Sequence, residues 1–167
     1  MTLIIDGYNV IGAWPDFQNS LNLQESRERL IEILCDYAGY SGDTVILVFD
    51  AYAGDNPRRA IEDVAGIQVV YTKIGETADH YIERLVNDMC RNLSRQIEVR
   101  VATSDAIEQS IIMGRGAARI SSPELRQLVM QTRETGRNKR PIAPKTALDG
   151  VLPPDVLGKL EKLRRKM

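Results

Sequence analysis

Apolar and polar residues follow two patterns along this chain, one typical of buried strands and one typical of amphipathic helices. Short runs rich in valine and isoleucine predict strands. They cover residues 3–5, 45–49, 67–71, 99–103 and 118–121. Because these runs are separated by segments with helical spacing, they predict a parallel sheet with helices on both faces.

The helical segments lie between the strands. Apolar residues spaced three and four apart predict helices over residues 22–40 and 77–94, the second one capped by Thr77. Ser122 is the predicted N-cap of a further helix, since Pro123 follows it. A shorter helix is expected between Asn56-Pro57 and Gly66.

Acidic residues stand where the predicted strands end. Asp6 and Asp50 close the first two strands, Glu76 and Asp79 follow the third, and Asp105 follows the fourth. The carboxyl ends of parallel strands form the ligand-binding edge of an open sheet. Carboxylates crowded there repel each other unless a cation holds them, so the pattern predicts a metal site and raised pKa values in its metal-free form.

The donor types favour Mg²⁺ or Mn²⁺. The candidates are carboxylate oxygens, the chain has one histidine, His80, and its two cysteines form no CxxC pair, so zinc is disfavoured. Magnesium sites commonly combine a few carboxylates with phosphate oxygens. Such ions activate water for attack on a phosphodiester, which is the predicted chemistry.

Other phosphate-handling sites lack their motifs here. The chain has no GxxxxGK[ST] and no GxGxxG pattern, so a P-loop or dinucleotide site is unsupported. Tyr8 stands where a haloacid-dehalogenase site would carry its second aspartate. A receiver domain would need an acidic pair after strand one, which is also missing.

Composition and charge add a candidate partner. The 167 residues suit one globular domain, and no apolar stretch approaches the ~20 residues of a membrane span, so a cytoplasmic protein without a membrane partner is expected. Residues 1–114 hold 18 acidic and 9 basic side chains, whereas residues 115–167 hold 5 and 13. This basic third is either a solvated helical face or a surface that binds a polyanion.

Four motifs together resemble the YacP-like branch of the NYN domains, which belong to the PIN-like nucleases. They are DGYNVIGAWP at 6–15, VFDAY at 48–52, ETADHYIERL at 76–85 and ATSDAIEQ at 102–109. The resemblance implies an α/β fold, a three-layer α/β/α sandwich with a central, mostly parallel sheet of about five strands. Residues 1–136 would form the nuclease domain. For residues 137–167 the residue pattern itself, a proline-containing stretch without apolar period followed by helical spacing, predicts a basic loop and a C-terminal helix docked on that domain.

The same resemblance implies an endoribonuclease that depends on Mg²⁺ or Mn²⁺. Its family includes a ribosome-associated endonuclease that cuts mRNA, so mRNA and the ribosome are the expected partners. By position, Asp6, Asp79 and Asp105 would be catalytic and bind metal. Glu76 would complete the metal site, and the auxiliary residues would be Asn9, Asp50 and Ser104.

RNA contacts are expected from aromatic and basic side chains. Tyr8 and Trp14 are candidates to stack an unpaired base, and for Trp14 the alternative is packing on the sheet edge. Basic residues would bind the RNA backbone without reading sequence. These are Arg115, Arg119, Arg126, Arg133, Arg137, Lys139, Arg140 and Lys145.

Two other functions stay open at this point. The first is an RNA- or ribosome-binding module that keeps its acids without cleaving, and the second is a nuclease that acts on DNA, since nothing in the chain reads the 2′-hydroxyl. The oligomeric state and the cleavage-site preference are not indicated by the sequence.

Overall fold

A six-stranded sheet forms the centre of the computed structural model, which describes residues 1–20, 22–51, 59–92, 97–103 and 116–139. The strands are β1 (Thr2–Asp6), β2 (Thr44–Phe49), β3 (Ala60–Val64), β4 (Ile67–Tyr71), β5 (Val99–Ala102) and β6 (Ala118–Ile120). Their order is β3-β4-β2-β1-β5-β6, and every pair is parallel except β3-β4. All five predicted strands are confirmed.

Helices cover both faces of this sheet. The described residues contain α1 (Gly7–Ala13), α2 (Leu23–Ser41), α3 (Ala78–Asn92) and α4 (Ser122–Lys139), with a 3₁₀ turn at Pro15–Phe17. Along β1, Leu3 and Ile5 pack with residues of α1, α2 and α4, whereas Ile4 packs with residues of α3. Because successive side chains of a strand point to opposite faces, the short apolar run serves two cores. The predicted three-layer α/β/α sandwich is confirmed.

Side chains cap the helices that carry functional residues. Thr77 Oγ1 accepts a hydrogen bond from the His80 amide at 3.2 Å, which confirms Thr77 as the cap before α3. At α4 the predicted cap is wrong by one residue. Ser121 Oγ accepts from the Glu124 amide, and Glu124 Oε2 accepts from the Ser121 amide at 2.8 Å, a reciprocal capping box.

The short helix expected up to Gly66 is wrong, because residues 60–64 form strand β3. This strand pairs antiparallel with β4 through a two-residue turn, in which Ala65 has φ 44° and Gly66 has φ 91°. Two positive φ values are the mark of the type I′ turn, whose twist suits a hairpin. The backbone of β3 hydrogen-bonds the outer edge of β4, which a helix cannot do. Asn56-Pro57 lies outside the described residues.

Gly7 explains why the chain turns directly after β1. A Cβ on Gly7 would overlap Cε1 of Phe49, so the ring of Phe49 occupies the place of a side chain. Phe49 is fully buried at the end of β2. The pair therefore fixes the entry into α1, directly after Asp6.

Residues Met1–Gly136 form one compact unit. The expected docking of residues 137–167 stays a prediction, since residues 140–167 lie outside the described part. Among the described residues, no helix combines the length and the apolar character that a bilayer crossing needs.

We expect Gly7→Ala to lower the free energy of unfolding by about 1–3 kcal/mol, because the new methyl group overlaps the Phe49 ring. Gly12→Ala is the matched control in the same helix, since no atom lies within 4 Å of its built Cβ. That variant is expected to be neutral or stabilising by up to about 1 kcal/mol. Chemical denaturation measures both, and equal effects would contradict the role given to Gly7.

Candidate active site

Asp6 is a buried carboxylate at the carboxyl end of the central strand β1. The residue is 9% exposed, and its side chain follows the face of Ile4, which α3 covers. Its Oδ1 accepts a hydrogen bond from the Asn9 amide at 3.4 Å, so Asp6 is also the N-cap of α1. It is therefore the backbone of Asn9 that contacts the Asp6 carboxylate.

Asp79 approaches Asp6 from α3, on the same face of the sheet. It is exposed, lies in the first turn of α3, and is close enough to Asp6 to raise the pKa of that carboxyl. Asp50 holds the start of this helix, because its Oδ1 accepts a hydrogen bond from the Ala78 amide. Asp50 thus acts through α3 as a positioning residue for Asp79.

The environment of Asp6 raises its pKa from 3.8 to about 7. Burial is the largest cause, and the negative charges of Asp79 and Asp50 add to it, while the Asn9 amide opposes it. The rise agrees with the expected crowding of acids, although desolvation contributes more than repulsion. When Asp6 is protonated, its hydroxyl can donate a hydrogen bond to Asp79.

Glu76 is engaged by two arginine side chains. Its carboxylate accepts hydrogen bonds from Arg59 at 2.6 and 3.2 Å and also forms an ion pair with Arg84. The Arg59 guanidinium lies 4.6 Å from the ring centroid of Tyr81. With Lys73 and His80, Glu76 lines a cleft of about 400 Å³ beside α3. Its oxygens bind two guanidinium groups, so the described contacts give Glu76 a structural role.

The fit of a divalent ion therefore rests on Asp6 and Asp79. Within the described ranges, no group of three or more His, Cys, Asp or Glu side chains is arranged to hold a metal ion. Mg²⁺, however, is commonly bound through one or two carboxylates with water and phosphate oxygens as further ligands. Two adjoining carboxylates at an open edge satisfy that requirement. The third predicted acid, Asp105, and the auxiliary Ser104 lie outside the described residues.

Trp14 is not an RNA-stacking residue, and that expectation is wrong. The side chain is 1% exposed, and its Nε1 donates a hydrogen bond to the Ser122 carbonyl at 2.9 Å. Its ring also stacks on Phe17, with centroids 6.1 Å apart. Trp14 joins the end of α1 to the start of α4, as in the alternative interpretation of packing on the sheet edge.

The structure describes five of the eight predicted basic residues. Arg126 pairs with Asp16 at 2.6 Å and Arg133 pairs with Asp36 at 2.9 Å, so carboxylates of this chain already offset these charges. The others that the structure describes are exposed, namely Arg119, Arg137 and Lys139. The remainder lie outside the described residues, namely Arg115, Arg140 and Lys145.

Tyr8 and a residue that sequence reasoning missed lie at the same edge as the acid pair. The half-buried Tyr8 ring is 5.1 Å from that of Phe49, and its hydroxyl accepts a hydrogen bond from Arg27 Nη1 at 3.0 Å. Arg27 belongs to α2, in the acidic part of the chain. No local pattern predicts this contact, because the two residues are 19 positions apart.

The chain thus has a mostly parallel sheet between two layers of helices, with Asp6 and Asp79 at the carboxyl edge of the sheet. The model of the YacP-like NYN domain matches residues 3–165, and the chain belongs to this family. It is 39% identical to the uncharacterized protein YacP of Bacillus subtilis, over 98% of this chain and 96% of that protein.

Two solved structures are similar to this chain. The crystal structure of Rae1 (YacP) from Bacillus subtilis matches with a TM-score of 0.71 and 36% identity, covering 99% of this chain and 95% of that one. A mutant of the same protein matches with a TM-score of 0.65 and 36% identity, over 86% and 87% of the two chains. The shared fold extends over nearly the whole sequence.

The raised pKa of Asp6 predicts a pH-dependent cost to stability in metal-free protein. Below about pH 4, Asp6 is protonated in both the folded and the unfolded protein, so its burial adds no pH-dependent cost to stability. As the pH rises toward 7, only the unfolded protein releases this proton, so the free energy of unfolding falls. We expect Asp6→Asn to gain stability over the wild type across this range, reaching at most about 4 kcal/mol. Denaturation in EDTA at several pH values measures the difference.

Asp16→Asn is the control with the opposite sign. The Arg126 guanidinium lowers the pKa of Asp16, so this carboxylate stabilises the fold above its unfolded pKa and loses that effect as pH falls. The variant should be less stable than wild type near neutral pH, with the deficit shrinking in acid. If the Asp6 and Asp16 variants followed the same pH trend, the electrostatic description of Asp6 would be wrong.

The Glu76→Gln variant tests whether Glu76 stabilises the fold or binds the metal ion. We expect the free energy of unfolding to fall by about 1–3 kcal/mol, since two guanidinium groups lose their shared carboxylate. Calorimetric affinity for Mg²⁺ should stay at the wild-type value. Glu98→Gln, which removes the exposed partner of Arg100, is the control and should cost less than about 1 kcal/mol. A loss of Mg²⁺ affinity in Glu76→Gln would instead indicate that Glu76 is a metal ligand.

Proposed function

We propose that this protein is an endoribonuclease that hydrolyses RNA phosphodiester bonds with Mg²⁺ or Mn²⁺. The contact between the buried Asp6 and the exposed Asp79 carries the proposal, because such a pair is costly to a fold unless a cation or proton occupies it. The nuclease-like character of the NYN family supports it. The proposed substrate is mRNA on the translating ribosome, in the cytoplasm, as the four motifs imply.

Asp6 and Asp79 would hold the divalent ion, with Asp105 as the expected third acid. When bound, the ion supplies positive charge to the phosphate and lowers the pKa of a water molecule. Asp6 must release its proton for this role, since only ionised carboxylates bind the ion well. Asp50 keeps Asp79 in reach of Asp6 through its hydrogen bond to the Ala78 amide.

Substrate binding would rely mainly on backbone contacts. In the described part of the chain, the exposed Arg119, Arg137 and Lys139 remain candidates for phosphate contacts. Tyr8 offers an aromatic ring near the acid pair. Such contacts do not read sequence, so the proposal includes no preferred cleavage site.

A module that binds RNA or the ribosome without cleavage is the second candidate. One observation favours it: within the described ranges, no three acidic, histidine or cysteine side chains are arranged around a metal position. A carboxylate pair alone is a smaller ligand set than a complete protein-built site. The two functions differ in whether Asp105 completes the metal site, and activity measurements test them directly.

We expect Asp6→Asn and Asp79→Asn each to reduce metal-dependent RNA cleavage by at least about a hundredfold, because each removes a charge that the reaction needs. Their RNA affinity should stay within a few-fold of wild type. Cleavage is measured on labelled RNA, free and on translating ribosomes, with Mg²⁺, Mn²⁺ or EDTA.

Asp36→Asn is the matched control, since this aspartate pairs with Arg133 on α4 rather than with the acid pair. It should cleave like wild type. If wild type bound RNA but never cut it under any of these conditions, the non-cleaving module would be the better description.

A further inference from the structure

Arg27 lies at the sheet edge that carries the acid pair, on the opposite face. Its Nη1 donates to the Tyr8 hydroxyl at 3.0 Å, and its Nη2 donates to Oε1 of Gln24. Tyr8 is two residues beyond Asp6, so their α-carbons are at most about 7 Å apart. The α2 side of this edge therefore presents a guanidinium, while the α3 side presents Asp79.

The hydrogen-bond partners of Arg27 are neutral. Its sequence neighbour Glu28 accepts instead from Gln24 Nε2 at 2.8 Å, so the Gln24 amide bonds to both residues and stands between the two charges. Among the residues that the structure describes, Arg27 has no carboxylate within ion-pair distance. By contrast, Arg59 and Arg126 each bind a carboxylate in forked geometry.

The position of this guanidinium is fixed by packing as well as by hydrogen bonds. Tyr8 lies against Phe49, whose ring stacks on Tyr71 with centroids 5.8 Å apart. Arg27 itself is half-buried rather than extended into solvent. A cation held in place without a carboxylate keeps its charge and its planar donors for an anion, and a phosphate fits that geometry.

We propose that Arg27 binds a backbone phosphate of the RNA strand next to the bond that is cut, with Tyr8 and Gln24 orienting its guanidinium. The inference rests on the proposed ribonuclease function for the identity of the strand and adds a substrate subsite to it. A strand lying across the sheet edge would meet the acid pair on the α3 side and Arg27 on the α2 side. The contact would raise affinity for any sequence, since it reads only phosphate.

The test compares Arg27→Gln with Arg29→Gln in metal-free protein, so that the RNA stays intact. Arg29 is on the same helix, is exposed and contacts the Asp16 carbonyl, away from the acid pair. The affinity for a short single-stranded oligoribonucleotide is measured over a series of salt concentrations in EDTA. Arg27→Gln should flatten the slope of log K against log salt by about 0.7, the share of one phosphate contact on a single strand. Arg29→Gln should keep the wild-type slope.

The salt slope distinguishes binding from support of the fold. If Arg27→Gln left the slope unchanged, the subsite would be refuted, even where affinity fell, because a loosened α1–α2 contact releases no counterions. Equal flattening by both variants would also refute it.

Different outcomes would refute the Arg27 subsite and the proposed ribonuclease function. A flattened slope together with an absence of cleavage in wild type would leave an RNA-binding subsite without an enzyme. Cleavage that needs Asp79 together with an unchanged slope would leave the enzyme and remove the subsite.

Discussion

The carboxylate of Asp6, buried where the central strand ends, is the feature around which this end of the molecule is organised. Burial of such a group costs free energy unless a partner compensates. Here the Asn9 amide does so in part, whereas Asp79 and Asp50 add to the cost, so the pKa of Asp6 rises to about 7. Gly7 and Asp50 then keep the pair together, one by letting the chain turn beneath Phe49 and the other by fixing the first residue of α3.

An electrostatic cost of this kind is expected at a functional edge and not in the two hydrophobic cores. The cores follow ordinary packing rules, with Leu3 and Ile5 on one face of β1 and Ile4 on the other. At the edge, interactions between charged side chains matter more than apolar packing. Asp6 and Arg27 lie on different faces of one thin sheet, so opposite charges are kept apart by the buried strands between them.

The sequence was sufficient for the sheet and for the meeting of Asp6 with Asp79, because both follow from strand periodicity and from the rule that parallel strands end at one edge. The sequence did not predict the contacts of Glu76, because its arginine partners come from positions 59 and 84 and follow no spacing rule. Trp14 was misjudged for a similar reason, since only the fold shows that its indole reaches the start of α4. The β3-β4 hairpin was missed because Ala65-Gly66 is not the usual residue pair of a type I′ turn.

That hairpin also determines how the outer margin of the sheet meets other molecules. Among the described strands, β3 is at the edge of the sheet. Backbone groups along such an edge are a template on which strands of neighbouring chains can pair. Its exposed residues include Ile61, which would favour such pairing, together with the carboxylates of Glu62 and Asp63. Two like charges on every copy repel a second β3 laid alongside, so this margin carries its own protection against aggregation.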